Sequence, residues 1–367
     1  MNRIYKYILF FGTCVIIGLA AWYFQNIVTY ILVSSVLSLI GSPIIHYLSK
    51  LRIGKFSIPK SLSAGLTLLI FWLIFIAFFR YFVPLLALEA QKLSQIDVAQ
   101  VLHAVKEPLT KIDDFVNRTG LNGSQPFSLF DILSSKISSV INIGLFTDIF
   151  SSIAGTLGNI FIALFSISFI TFFFLKDEGL FNEGVILFVP TRHEEAARRV
   201  LSSTKQLLMR YFVGISAQIT GIIILVTIGL LIAGIEFKTC LVIALFAGVI
   251  NVIPYIGPLI GTIFALVIGL ASKVDMIYAG HFGALLVYIL IVFAITHLID
   301  NIVFQPVIFS NSVKAHPLEI FLVILIAGHI GGITGMLVAI PGYTVIRVFA
   351  KQFLNNFKVV KKLTEKI

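Results

Sequence analysis

The sequence predicts an all-α polytopic membrane protein of about eight membrane segments, and three observations predict it. Composition is the first. Of 367 residues, 58% are apolar and 12% charged, whereas soluble domains average about 45–50% and about 25%. A mean hydropathy of +1.03 leaves too little polar surface to dissolve a water-facing fold. Spacing is the second: apolar runs recur at the roughly 20 residues a helix needs to cross about 30 Å of hydrocarbon. The third is where charge sits. The net charge of +10 gathers beside the apolar runs, at Arg3 and Lys6, at Lys50, Arg52, Lys55 and Lys60, and at Lys351, Lys358, Lys361, Lys362 and Lys366. That is the bias of cytoplasmic loops facing anionic lipid, and no base-reading module accompanies it, so no nucleic-acid partner is expected. Both cysteines, Cys14 and Cys240, lie within apolar runs and make no disulfide framework.

In chain order, Ile4–Phe24 and Ile27–Ile45 read as two close spans and Leu62–Leu86 as a third. Arg3 and Lys6 before an apolar run resemble a signal peptide, but a second apolar run and basic residues follow, which favours an uncleaved span. Four basic residues between the second and third runs place that loop, and hence the N-terminus, in the cytoplasm. Residues 1–86 therefore form an N-terminal domain of three helices. Residues 87–150 then fall on the extracytoplasmic side, where Leu93, Ile96, Val101, Leu102, Val105, Leu109, Ile112 and Val116 keep helical spacing. After the break at 120–126, a second amphipathic stretch continues from Leu129 to Ile141. Residues 151–350 form a C-terminal core, with runs at Ile153–Leu175, Phe212–Ala233 and Ala279–Ile299 and charged residues between 176 and 211. Residues 351–367 are a basic cytoplasmic tail.

Two runs inside that core are too long. Thr239–Ala271 and Pro317–Phe349 hold 33 residues each, about 50 Å as straight helices. The first contains Asn251-Val-Ile-Pro-Tyr-Ile-Gly-Pro-Leu-Ile-Gly261. Pro254 and Pro258 each remove a backbone donor, Gly257 permits a turn, and Tyr255 and Gly261 lie in the same break. The second contains Gly328, His329, Gly331, Gly332 and Gly335, then Pro341. Bare peptide groups at membrane depth are tolerated only beside protein or a water-lined cavity. Helices interrupted at comparable positions are thus the expected transport pathway; the plainer reading is two kinked, tilted helices. Because the tail should be cytoplasmic, the two segments share one architecture, both spanning or both re-entrant.

Asp300 closes the Ala279–Ile299 run, with His297 three residues earlier on one helix face and Asn301, Gln305 and Pro306 following. A carboxylate near hydrocarbon usually faces a cavity or a partner, and imidazole titrates near neutrality. Asp300, His297 and Gln305 are accordingly the candidate ion-coupling group; the plainer reading is a solvated helix end. Gln218, Asn159 and His281 read as hydrogen-bond partners between helices. No Gly-x-x-x-x-Gly-Lys-Ser/Thr loop, His-Glu-x-x-His or Gly-x-Ser-x-Gly occurs, so neither an ATP-driven pump nor a hydrolytic enzyme is expected, and no cofactor or metal.

Together, residues 251–261, Asp300-Asn-Ile-Val-Phe-Gln-Pro306, His316-Pro317, Gly328–Gly335 and Ile340-Pro341 closely resemble the signature of the autoinducer-2 exporter family of permeases. Phe174-Leu-Lys-Asp-Glu178 and the order of spans fit as well. The resemblance covers nearly the whole chain. It implies a bacterial inner-membrane protein of about eight segments and a homo-oligomer, a pentamer being one option. Members are associated with export of the quorum signal autoinducer-2 and others with sodium/proton antiport. Three functions follow: a secondary exporter of a small polar organic solute, a cation/proton antiporter, or a membrane scaffold whose outer helices bind a partner. The partners expected are the bilayer and a small molecule or ion.

Overall fold

The computed structural model describes residues 22–50, 52–53, 56–94, 157–177, 179–273, 282–312 and 316–353, with isolated positions elsewhere. Much of the expected first span lies outside these residues, as does most of the amphipathic outer segment after Ser94 and of the basic tail. Within the described residues the chain is helical apart from one two-residue antiparallel pairing, β1 (Arg52–Ile53) with β2 (Phe56–Ser57). Five helices are long and apolar enough to cross a membrane, at Gln25–Lys50, Lys60–Glu89, Thr191–Ile232, Gly283–Ile308 and Leu318–Phe353, and three shorter apolar helices accompany them. The chain is a multi-pass membrane protein, in two compact units.

The first unit comprises residues 1–73 and 155–212. Its helices are α1 (Gln25–Lys50), the start of α2 (Lys60–Ser94), α3 (Leu157–Lys176), the short α4 (Leu180–Ile186) and the start of α5 (Glu194–Ile232). In lipid, apolar faces gain nothing by leaving solvent, so helices are joined where small or polar residues let them approach. Ser34 Oγ donates to the Ile167 carbonyl at 3.0 Å and Trp72 Nε1 to Ser168 Oγ at 3.1 Å. Gly41 packs against Leu175, Thr67 and Phe71, whose side chains a Cβ there would press at 2.9 to 3.2 Å. Past the end of α3, Arg198 grips Glu183 through both guanidinium Nη atoms at 2.6 and 3.0 Å and also bonds Glu194 at 3.0 Å, an exposed ion-pair network.

The second unit comprises residues 74–154 and 213–367. Its helices are the remainders of α2 and α5, then α6 (Phe237–Ile250), α7 (Ile256–Ala271), α8 (Phe282–Ile299), α9 (Gln305–Ser312) and α10 (Pro317–Phe353). Its apolar core joins Val226 and Leu230 of α5, Ile243 of α6, Ile268 of α7 and Ile289 and Phe293 of α8.

Both over-long runs fold back on themselves. In the first, the rings of Phe246 and Phe264 stack 3.9 Å apart, whereas 18 residues of straight helix would separate them by about 27 Å. α6 and α7 are therefore the arms of a hairpin. With 14 and 16 residues, they measure about 21 and 24 Å, short of a full crossing. In the second, Tyr343 donates its hydroxyl to Glu319 at 3.0 Å across 24 residues, about 36 Å if straight. α10 reverses at Gly331 and Gly332, where φ/ψ are −128°/15° and 57°/−143°. The alternative of two long kinked helices is thereby excluded, and paired hairpins remain.

Candidate functional site

The first hairpin turns within residues 251–255. Pro254 has no N–H and holds φ near −65°. Its carbonyl accepts the Ile256 N–H at 2.8 Å, a three-residue turn centred on Tyr255 at φ 67°, ψ −47°. That hand of γ-turn is rare and strained for a side-chain-bearing residue. Tyr255 is also the only non-glycine residue at positive φ among the described residues. Gly257 lets the second arm lie against the first: a Cβ there would strike the Ile250 carbonyl oxygen. Gly261 faces Ala247 in the same way, a Cβ lying 3.3 Å from the alanine methyl.

The tip so formed delivers Asn251 to Asp300. Asp300 is 1% exposed and accepts three hydrogen bonds, all from carboxamides. Gln218 Nε2 of α5 donates to Oδ1 at 2.6 Å, and Asn251 Nδ2 and Gln305 Nε2 donate to Oδ2 at 3.3 and 3.1 Å. Gln305 arrives there because the helix widens at Asp300–Phe304 into a π-turn, in which the Gln305 N–H reaches the Asp300 carbonyl. On an ordinary helix, five residues would rotate the two side chains about 140° apart; an i→i+5 turn sets one above the other. Pro306 accounts for the widening, since it can neither donate to the carbonyl four residues back nor avoid its bulk. Gln305 Nε2 also bonds Asn301 Oδ1 at 2.8 Å.

No charged group neutralises the Asp300 carboxylate among the described residues. Asn251 Oδ1 is buried with no hydrogen-bond partner. Asn251 also lines a small cavity of about 10 Å³, with Ile215, Gln218, Val252, Pro254 and Gln305, room for about one water. The cluster thus sets one carboxylate and three carboxamides beside that space.

Other expected residues lie apart from this cluster. His297 turns to α7, its Nε2 3.2 Å from Thr262 Oγ1, which itself donates to the Pro258 carbonyl at 2.8 Å. Asp300 and His297 share a helix face without sharing a hydrogen bond. Gly328 and Gly335 pack the arms of the second hairpin together, where a Cβ on them would strike Met336 and the Ala327 carbonyl respectively. Its tip is exposed among the described residues: His329 is exposed, Ile330 is 81% and Ile333 63% exposed, and a Cβ at Gly331 or Gly332 would meet none of them within 4 Å. Gln218 is the interhelical partner expected of it, while the side chains of Asn159 and His281 lie outside the described residues. Thr262 and Phe321, whose ring meets Tyr255 edge-on at 5.6 Å and 85°, carried no sequence signal, being ordinary residues of apolar runs.

A membrane-embedded helical fold with two folded-back segments, one of them closing over a buried carboxylate, defines a membrane transporter. Comparison with known proteins gives the family: the model of the AI-2E family transporters matches residues 11–355, and the chain belongs to that family. It is 26% identical over 337 residues to YueF of Bacillus subtilis (strain 168), a candidate transport protein, covering 90% of this chain and 84% of that one. It is 32% identical over 200 residues to a second candidate transport protein of the same organism, YrrI, covering 53% and 52%. It is 20% identical over 361 residues to the AI-2 transport protein TqsA of Escherichia coli (strain K12), covering 98% and 96%.

Proposed function

We propose that this chain is a secondary transporter whose driving ion is sensed at Asp300 and whose solute path runs past the tip of the first hairpin. The observation that carries this is a carboxylate 1% exposed with only neutral partners, one of which, Asn251, belongs to the break itself. Protonating Asp300 removes the charge that Gln218, Asn251 and Gln305 hold in place, so proton uptake loosens the tip and links ion to movement. The first solute to test is autoinducer-2 or a similar small polar molecule, because a relative is named for it. The expected setting is a bacterial inner membrane, with both termini cytoplasmic and the chain assembled as a homo-oligomer.

The test is flux of labelled autoinducer-2 in proteoliposomes. Flux above empty liposomes that Asp300→Asn returns to background supports the reading; undiminished flux in Asp300→Asn overturns the role of Asp300. Cation/proton antiport is a second reading, favoured by the size of the cavity, which suits a water or a bare ion rather than an organic solute. Asp300 and the oxygens of Asn251 and Gln305 would supply hard ligands once their amides turn. Sodium-driven pH change in everted vesicles distinguishes it from solute export.

A further inference from the structure

We infer that Tyr255 and Phe321 form a gate to the small cavity lined by the carboxamides that bond Asp300, an aromatic latch joining the two hairpins and released when the site opens. The inference rests on the transport reading for its purpose and on local geometry for its mechanics. The cavity holds about one water, so a larger ligand enters only if a wall moves. Of its walls, Gln218, Asn251 and Gln305 are tied to Asp300, and Ile215 stands on the long α5. Pro254 and Val252 belong to the turn and have no such tie.

Beside Pro254 stands Tyr255, whose backbone is held where side-chain-bearing residues rarely go. Such a conformation persists only when its surroundings enforce it. Ile253 is buried below the tip. On the exposed side the described contact is the Tyr255 ring against Phe321, on the first arm of the second hairpin. Separating the rings lets the turn relax, and Pro254 moves with it. Phe321 lies four residues past Pro317, at the end of the hairpin that the charge pattern assigns to the cytoplasm. The latch thus closes the cytoplasmic approach.

The experiment uses Val252→Cys as reporter in the full-length protein with Cys14→Ser and Cys240→Ala, in everted membrane vesicles, read by the rate of modification with a membrane-impermeant thiol reagent. Removing either ring, by Tyr255→Ala or Phe321→Ala, should raise that rate roughly three- to ten-fold, the weight of one aromatic pair. The double variant should gain no more than either single one, and Tyr255→Phe should behave as the parent. Phe321→Leu, which keeps apolar bulk, serves if Phe321→Ala does not yield a monodisperse protein. Rates unchanged in the ring-removed variants, or effects that multiply in the double variant, overturn the latch. If rates respond while no solute or ion flux is found, the latch stands and the transport function falls; flux with unresponsive rates gives the converse.

Discussion

The two hairpins are alike in construction and opposite in chemistry. Each packs its arms through a glycine pressed against a backbone carbonyl, Gly257 on Ile250 and Gly335 on Ala327. The first, however, ends in a tip whose polar side chain is sealed against Asp300, whereas the second ends in exposed His329 and Ile330. The second makes its described side-chain hydrogen bond between arms from within, where Tyr343 bonds Glu319. A broken helix is thus a scaffold rather than a site. What makes a site of the first break is the arrival of α5 and the π-turn, with one carboxamide each.

The sharpest test compares the two tips directly. Asn251→Leu removes one donor from Asp300 and leaves the rest of a buried polar network unmatched, so transport should fall by about 10- to 100-fold. His329→Ala, at the other tip, should leave transport within about two-fold of the parent, as expected of an exposed substitution. Proteoliposome flux for the two variants checks both. Equal losses would mean that the second tip also touches the path and would end the contrast.

Much of this was legible beforehand, and the boundary falls where helix rotation begins to matter. Run lengths and the Pro254, Gly257 and Gly331–Gly332 breaks located both interruptions, because 33 straight residues would overrun the bilayer. The same reasoning left open whether the breaks were kinks or reversals, since that depends on contacts such as Phe246 with Phe264. Asp300 stood out as an acid in an apolar run, but its partners did not. Gln218 and Asn251 lie 82 and 49 residues away, and which faces meet is set by packing. His297 illustrates the converse. Its spacing from Asp300 promised a pair, yet its ring nitrogen meets Thr262. Pro306 was the one sequence sign of the π-turn that swings Gln305 onto Asp300.

A second set of variants asks whether the hairpins are alike where packing is concerned. Gly257→Ala and Gly335→Ala each force a methyl group against a carbonyl oxygen and should cost about 1–3 kcal/mol, seen as a lower Tm in detergent. Gly331→Ala meets open space and should stay within about 0.5 kcal/mol. A large effect of Gly331→Ala would show that something covers the second tip. Between these falls Tyr343→Phe. It removes the described hydrogen bond between the arms of the second hairpin without a change of shape, for a loss of about 1 kcal/mol.

The smallest effect belongs to charge in water, and it measures how much burial matters at Asp300. Glu183 is as well paired as any carboxylate among the described residues, bonded by Arg198 at 2.6 and 3.0 Å, but it is exposed. The Arg198 hydrogen bond holds its carboxyl below the ordinary value of 4.5. Its contribution to stability is therefore complete above that value and disappears as pH falls through the lower folded one. Glu183→Gln should lower Tm slightly near neutral pH, less so in high salt, and not at all once the solution is acidic enough to protonate the parent. A large loss at neutral pH would show that an exposed pair can rival a buried one, and the weight placed on the sealing of Asp300 would have to move to the ion pairs beyond the end of α3.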